Sequence, residues 1–208
     1  MGYLEPVEQA VQRLTRRLAE GEINPRLYIQ RGMASFQLGH VEAAIDDFDR
    51  AEPLNPALTP YFWQRGIAYY YAEPFADGAR QFEVDLSVNG SNVEETVWRY
   101  LCQAQLDGAV TARQALARVG GDSRPVMGWV YGLFSGTCSA EQVLDQYRDA
   151  GRRDLFYSRL YVGLYLEAER DRERSRDFIT QPAEMQVLED YMGWVAVVHR
   201  HLRGWGRG

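Results

Sequence analysis

Residues 24–56 read NPRLYIQRGMASFQLGHVEAAIDDFDRAEPLNP, and residues 60–90 read PYFWQRGIAYYYAEPFADGARQFEVDLSVNG. The two segments align without a gap, and the QRG triplet at 30–32 returns 34 residues later at 64–66. Large apolar residues match at the same spacing: Tyr28 with Phe62, Val41 with Phe75, and Phe48 with Phe82. Self-similarity at such a period is typical of repeat architectures, in which each copy is one supersecondary unit.

Apolar residues in the first segment follow helical spacing. Five of them recur three or four residues apart or side by side: Val41, Ala44, Ile45, Phe48 and Ala51. This periodicity predicts a helix with one buried face. Gly39 marks the end of a preceding helix, because glycine accepts a left-handed conformation. Neither helix can bury its apolar stripe alone, so the copies are expected to stack on their neighbours.

The pattern of small and aromatic residues resembles the tetratricopeptide repeat. That repeat has an aromatic residue at its fourth place, glycine at the eighth, a small residue at the twentieth, an aromatic at the twenty-fourth and proline at the thirty-second. The first segment has, at these places, Tyr28, Gly32, Ala44, Phe48 and Pro56. The second has, in the same order, Phe62, Gly66, Gly78 and Phe82, and it departs from the pattern at Gly90, where proline is usual. The resemblance implies repeats over 25–58 and 59–92 in a right-handed superhelix of stacked antiparallel helix pairs.

The remainder of the chain continues the pattern in a degenerate form. A small residue recurs about once per repeat length, at Gly32, Gly66, Cys102, Gly132, Gly163 and Gly193. Degenerate repeats are therefore predicted over 93–183, between capping helices at 6–19 and at about 185–202. Breakers such as Gln181-Pro182 fall where this scheme needs loops. With no strand-type alternation and no Pro/Ser-rich linker, the prediction is one all-α domain over residues 1–208.

A second, looser resemblance lies in residues 85–102, which read DLSVNGSNVEETVWRYLC. This run is similar to a segment of bacterial lipoproteins related to NlpI, in which a tetratricopeptide pair is followed by a Trp-containing helix. Tetratricopeptide-like proteins of plants and algae, which have no assigned activity, are also similar. The chain shows no lipoprotein signal, so an envelope role is not expected.

Charge and hydropathy exclude several classes of protein. The 29 acidic residues outnumber the 23 basic ones, which gives a formal net charge of −6. Nucleic-acid binders usually carry a basic excess that displaces counterions from phosphates, so no nucleic-acid partner is expected. No stretch approaches the roughly 18 consecutive apolar residues of a membrane helix, and no signal peptide is visible. A cytoplasmic protein without membrane contact is the expectation.

Few residues in the sequence offer catalytic or metal-binding chemistry. All 23 basic residues are arginine, which excludes a lysine Schiff base or a P-loop lysine. The two cysteines, Cys102 and Cys138, have no zinc-type spacing. His199 and His201 are two residues apart on a predicted helix and therefore point to different sides. The expectation is a protein that is not an enzyme and holds neither a metal nor a cofactor.

In tetratricopeptide proteins, the first helices of successive repeats line a concave groove. The resemblance places eight residues there: Ile29, Met33, Phe36, Trp63, Ile67, Tyr70, Tyr71 and Arg99. Members that clamp a C-terminal carboxylate have Lys and Asn where this chain has Ile29 and Met33, so a carboxylate clamp is not expected. An apolar and aromatic groove suits an amphipathic helix or an extended peptide.

The sequence therefore predicts a non-enzymatic scaffold or adaptor that binds a protein or peptide partner in this groove. Three alternatives stay open. In the first, the aromatic residues form the core of a superhelix whose groove the chain itself fills. In the second, the groove is a homodimer interface, since large exposed apolar patches mark interfaces. In the third, the superhelix encloses an enzyme pocket.

Overall fold

The computed structural model describes residues 2–206, which form helices and connecting turns and contain no β-strand. The all-α prediction is confirmed, and neighbouring helices pack in pairs as in an α-solenoid. The chain divides after Val88 into two compact units. A single domain over residues 1–208 stays a prediction, and Met1, Arg207 and Gly208 lie outside the described residues.

The first unit consists of consecutive helices that pack on their neighbours in chain order. They are α1 (Glu5–Ala19), α2 (Pro25–Gln37), α3 (Val41–Ala51), α4 (Trp63–Ala72) and α5 (Phe75–Val88). Two short 3₁₀ segments, Glu52–Leu54 and Pro56–Tyr61, connect α3 to α4. The two predicted repeats thus correspond to the hairpins α2/α3 and α4/α5.

Local sequence signals fix both ends of α2. The side chain of Asn24 accepts a hydrogen bond from the Arg26 N–H at 3.0 Å, and Pro25 supplies the first helical residue. At the other end, Gly39 adopts φ +79° and donates its N–H to the Phe36 carbonyl. The predicted glycine stop is confirmed, and it turns the chain directly into α3.

The second unit is again a set of helices. They are α6 (Val93–Asp107), α7 (Ala109–Gln114), α8 (Pro125–Ser135), α9 (Ala140–Gln146), α10 (Arg152–Ala168), α11 (Arg172–Met185) and α12 (Tyr191–Leu202). α6 packs on α7, α10 on α11, and α11 on α12, while α8 lies against both α6 and α10. A capping box begins α9, since Ser139 and Gln142 exchange hydrogen bonds of 2.9 and 3.2 Å.

Three hairpins share one close contact between their helices. In each, a glycine on the first helix faces a large apolar side chain sixteen residues later on the second helix. An added Cβ would lie 3.2 Å from Phe48 at Gly32, 2.6 Å from Phe82 at Gly66, and 2.7 Å from Ile179 at Gly163. The hairpins α2/α3, α4/α5 and α10/α11 therefore share one packing contact at the same spacing.

The C-terminal segment differs from the prediction at two points. Pro182 lies inside α11 and not in a loop, and it is buried there together with Ile179 and Ala183. The last helix begins at Tyr191 and not near residue 185. Gln186 ends α11 in a left-handed conformation (φ +50°), and Asp190 caps α12 by accepting the Met192 N–H at 3.0 Å.

The end of α12 buries His199 completely. Its ring centroid lies 5.2 Å from that of Trp205, and its Nε2 lies 3.6 Å from Glu167 Oε1. The same Glu167 oxygen accepts the Nε–H of Arg203 at 2.7 Å. Burial lowers the pKa of His199 to about 4, although the Glu167 carboxylate acts in the opposite direction.

This pKa predicts a loss of stability in mild acid. The folded-state pKa lies below the ordinary value of 6.5, so the contribution of neutral His199 is complete above pH 6.5 and is lost as the pH falls toward 4. His199→Phe is expected to flatten this fall, measured as Tm between pH 7 and pH 4. His201→Phe, at an exposed position of the same helix, is expected to keep the wild-type slope. An unchanged slope for His199→Phe contradicts the assignment.

Candidate functional site

The structure places the predicted groove residues on three helices: α2 (Ile29, Met33, Phe36), α4 (Trp63, Ile67, Tyr70, Tyr71) and α6 (Arg99). Four of these residues are partly exposed: Ile29, Met33, Trp63 and Arg99. The other four are buried, with exposures of 0%, 0%, 0% and 7%: Phe36, Ile67, Tyr70 and Tyr71. Half of the predicted set therefore presents almost no surface.

The buried aromatic rings pack on one another. The Phe36 and Tyr71 ring centroids lie 5.7 Å apart, those of Tyr70 and Tyr71 lie 5.3 Å apart, and those of Tyr70 and Phe75 lie 5.8 Å apart. The contact between Phe36 and Tyr71 brings α2 beside α4, the first helices of two repeats. For these side chains the structure favours the internally filled alternative, in which the rings join the repeats.

A smaller apolar surface remains accessible on α2 and α4. Ile29 and Met33 pack against the core of this unit while staying partly exposed. The Gln64 Nε2 atom lies 3.9 Å from the Met33 Sδ, so α4 begins beside this part of α2. Trp63, the first residue of α4, is also partly exposed. We refer to Ile29, Met33 and Trp63 as the first-helix surface.

Arg31, from the repeated triplet, joins three helices of the first unit. Its Nε and Nη2 donate to the two carboxylate oxygens of Asp47 at 2.8 and 2.6 Å, and its Nη1 donates to the Thr15 hydroxyl at 3.2 Å. Asp47 is only 3% exposed, and its hydrogen bonds raise the pKa of Arg31. This bidentate pair links α2 to α3, while Thr15 links α2 to α1.

Arg65 repeats this arrangement one hairpin later with different partners. It donates from Nε to Gln81 at 2.8 Å, and from Nη1 to Asp49 at 2.9 Å and to Glu52 at 2.8 Å. Each arginine thus bonds to one residue sixteen positions before it and one sixteen positions after it. The second copy has a neutral amide, Gln81, where the first copy has the carboxylate Asp47. Its two carboxylates come instead from residues that precede the arginine.

In the second unit, side chains of α6 and α10 meet the residues that cap the starts of α8 and α12 in a polar cluster. Glu94 accepts hydrogen bonds from Arg124 and from the Tyr161 hydroxyl, both at 2.8 Å. The Tyr157 hydroxyl donates to Asp190 at 2.7 Å, and the Arg124 guanidinium lies 5.4 Å from the centroid of the Tyr157 ring. We refer to these five residues as the tyrosine–carboxylate cluster.

The protonation states of these side chains match their hydrogen bonds. Burial raises the pKa of Tyr157 and Tyr161, so both hydroxyls remain protonated donors. Hydrogen bonding to Asp122 raises the pKa of Arg124, which keeps its charge. Beside the cluster, burial raises the pKa of Glu95 to about 7, so a fraction of this carboxyl is protonated at neutral pH. The cluster is suited to hydrogen bonding and to holding four helices together.

The predicted groove residue Arg99 also serves a contact within the second unit. It lies on α6 and donates from Nη1 to the Ala115 carbonyl at 3.2 Å, just beyond the end of α7. Its partly exposed side chain therefore has a structural partner, and a role in peptide binding stays a prediction.

Burial raises the pKa of the Cys102 thiol well above its usual value, so this sulfur stays protonated at neutral pH. Within residues 2–206, no three His, Cys, Asp or Glu side chains come together as metal ligands would. Over the same residues, no helix combines the length and the apolar character needed to cross a bilayer.

Comparison with known proteins gives one distant similarity. No protein-family model matches the chain. A stretch of 102 residues, 49% of this chain, is 24% identical to the protein SGT1 homolog of Bos taurus, of which it covers 30%. The chain thus corresponds to less than a third of that relative. The tetratricopeptide assignment and the looser similarity to NlpI-related proteins stay predictions.

Proposed function

We propose that this chain is a non-enzymatic scaffold or adaptor that binds a peptide or a helix of a protein partner through the first-helix surface. The observation that supports this most is the contrast on α2 and α4. Ile29, Met33 and Trp63 stay partly exposed on neighbouring first helices, while the aromatic residues beside them are buried. An accessible apolar strip on a rigid helical base suits apolar anchors of a partner.

Two further observations support a protein-interaction role. The helices pack in repeat-like pairs, and the chain is distantly similar to the SGT1 homolog. The side-chain types are also suitable, because tryptophan is enriched at binding hot spots and methionine adapts to irregular surfaces. A cytoplasmic location and the absence of a nucleic-acid partner remain expectations that accompany this proposal.

Removing the first-helix surface is expected to abolish partner capture. Trp63→Ala combined with Met33→Ala deletes two apolar anchors, and hot-spot truncations typically cost about 2 kcal/mol or more each. The measurement is affinity capture from lysate of the source organism, with quantitative comparison of wild type and variant. Helical circular dichroism and Tm report whether the variant is folded.

A matched control replaces two exposed apolar residues elsewhere, Leu106→Ala with Val110→Ala. This control is expected to retain the partner. A folded Trp63/Met33 variant that still captures every wild-type partner contradicts the proposal. A variant that loses both its partner and its helix signal assigns the two residues to the core.

Light scattering distinguishes the homodimer alternative from binding of a different protein partner. A monomeric chain excludes it. A dimer that dissociates in the Trp63/Met33 variant, but not in the Leu106/Val110 control, assigns the first-helix surface to self-association.

A further inference from the structure

A polar cavity of about 350 Å³ opens on the first unit among α3, α4, α5 and the 3₁₀ segment before α4. Its charged lining consists of Asp49, Glu52, Arg65, Asp77 and Arg80. Tyr69 and Val84 form the less polar part of the cavity wall. The volume falls in the range of small-ligand sites. None of the predicted groove residues lines it, so this cavity is separate from the proposed peptide surface.

The repeat itself shows that the acidic lining is more than the fold requires. In the first hairpin, Arg31 is satisfied by the single carboxylate of Asp47 and the neutral Thr15 hydroxyl. In the second hairpin, the equivalent Arg65 bonds to neutral Gln81 and to two carboxylates, Asp49 and Glu52. Asp49 occupies the position that Thr15 holds in the first copy. One carboxylate therefore remains in excess of what the bridging arginine needs.

The hydrogen bonds show where that excess charge is available. Both Glu52 oxygens accept from Arg65, and one also accepts the Thr59 hydroxyl at 2.9 Å. Asp49 uses Oδ1 for Arg65 and for the Tyr69 hydroxyl at 3.4 Å, and Asp77 uses Oδ1 for Arg80. The second oxygens of Asp49 and Asp77 accept no hydrogen bond from the described residues. Both side chains are well exposed, at 50% and 41%.

The charge balance also disfavours an anion as the natural occupant. Three carboxylates line the cavity against two guanidinium groups, which leaves one surplus negative charge. The Arg65 side chain is 8% exposed and already donates from Nε, Nη1 and Nη2. A phosphate or carboxylate would meet repulsion from Asp49, Glu52 and Asp77, and the exposed guanidinium of Arg80 (73%) is already paired with Asp77.

We infer that this cavity binds the cationic end of an alkyl chain, the guanidinium or ammonium group of an arginine-like or lysine-like ligand. Asp49 Oδ2 and Asp77 Oδ2 accept its N–H groups. The Tyr69 ring and Val84 cover the aliphatic stem, as long basic side chains bury their stems on apolar surface. This inference does not depend on the proposed peptide-binding function.

Titration of the intact protein with small cations tests the site. The probes are Nα-acetyl-arginine amide and Nα-acetyl-lysine amide, which mimic side chains of a polypeptide, and butylguanidinium, a monocation that represents a small free cation. N-acetyl-glutamine amide is the uncharged probe, and inorganic phosphate is the anionic one. Amide shifts in two-dimensional NMR spectra are expected to saturate with the cations and to concentrate in α3, α4 and α5.

Two variants and a matched control locate the binding. Asp49→Asn and Asp77→Asn are each expected to weaken the cation Kd about tenfold, because each removes one charged acceptor. Asp77→Asn leaves the Arg65 network intact, so it still tests the site if Asp49→Asn fails to fold. Asp46→Asn, exposed on the same helix α3, is expected to bind as wild type does.

The outcomes decide between support and rejection. Saturable binding of any of the cations that both cavity variants weaken supports the site. Tighter binding of the blocked amino acids then assigns it to a partner polypeptide, and tighter binding of butylguanidinium assigns it to a small free cation. No saturable cation binding, equal binding of the glutamine probe or of phosphate, or equal weakening by Asp46→Asn overturns the inference.

Discussion

Replacing Arg31 with methionine is expected to destabilise the protein by about 3–5 kcal/mol, because it leaves a buried carboxylate without its counter-charge. Asp47 is 3% exposed, and both of its oxygens accept hydrogen bonds from Arg31. Methionine preserves much of the aliphatic volume of arginine, so the loss reports the charge and its hydrogen bonds more than packing. Urea unfolding followed by circular dichroism measures the difference in free energy.

Two further variants isolate the charge effect. Arg31→Met with Asp47→Leu removes both charges and is expected to recover most of the lost stability, since an apolar pair often replaces a buried ion pair at little cost. Arg50→Met, on the exposed side of α3, is expected to stay within about 0.5 kcal/mol of wild type. If Arg31→Met unfolds at the wild-type urea concentration, Asp47 does not depend on Arg31.

The hairpins were accessible from the sequence because their determinants are local. A helix stop at Gly39 and a glycine sixteen residues before Phe48 lie within one 34-residue period. The same spacing returns at Gly66 and Phe82, so one pattern specifies both copies. Short-range signals of this kind do not depend on how distant helices pack.

The register of the weaker repeats was less predictable. A Cβ at Gly132 would meet Cys138 and Thr137 in the following turn, and one at Gly193 would overlap the carbonyl of Val187 in the preceding loop. These glycines do permit close approach, but not to the second helix of a hairpin. Periodic spacing of small residues therefore identified close contacts correctly and their partners only in part.

Exposure in the groove depends on packing that no single helix encodes. Met33 and Phe36 are apolar and three residues apart on α2, yet Met33 is partly exposed and Phe36 is buried under Tyr71. The difference arises from α4, which packs beside α2. The spacing of apolar residues predicts which face of a helix is apolar. It does not predict which part of that face the next repeat covers.

The polar networks were missed for two different reasons. The tyrosine–carboxylate cluster draws on residues from Glu94 to Asp190, and no sequence spacing connects them. The arginine bridges did have a signal. The same spacing of sixteen residues separates Arg31 from Asp47 and Arg65 from Gln81. The prediction used the glycine of the repeated triplet and not its arginine.

Replacing Gly66 with leucine is expected to destabilise the first unit by about 3 kcal/mol or more, because it overpacks a closed contact. Even an added Cβ would lie 2.6, 2.8 and 3.0 Å from three ring atoms of Phe82. Phe82 is fully buried, so its ring has no exposed space into which it can turn. The expected result is a large fall in Tm, read from the helical circular dichroism signal.

Gly128→Leu is the matched control, since Gly128 also lies in a helix, α8, and an added Cβ there meets nothing within 4 Å. Both substitutions gain the same helix propensity, so the difference between them reports the overpacking at Gly66, where Phe82 is the nearest neighbour. Phe82→Leu replaces the ring with a smaller side chain. In the Gly66→Leu background it is expected to restore part of the lost stability, and the restored part is the coupling energy between the two positions. If the changes in unfolding free energy of Gly66→Leu and Phe82→Leu simply add, the two positions are not energetically coupled. That result contradicts the hairpin register in which Gly66 faces Phe82.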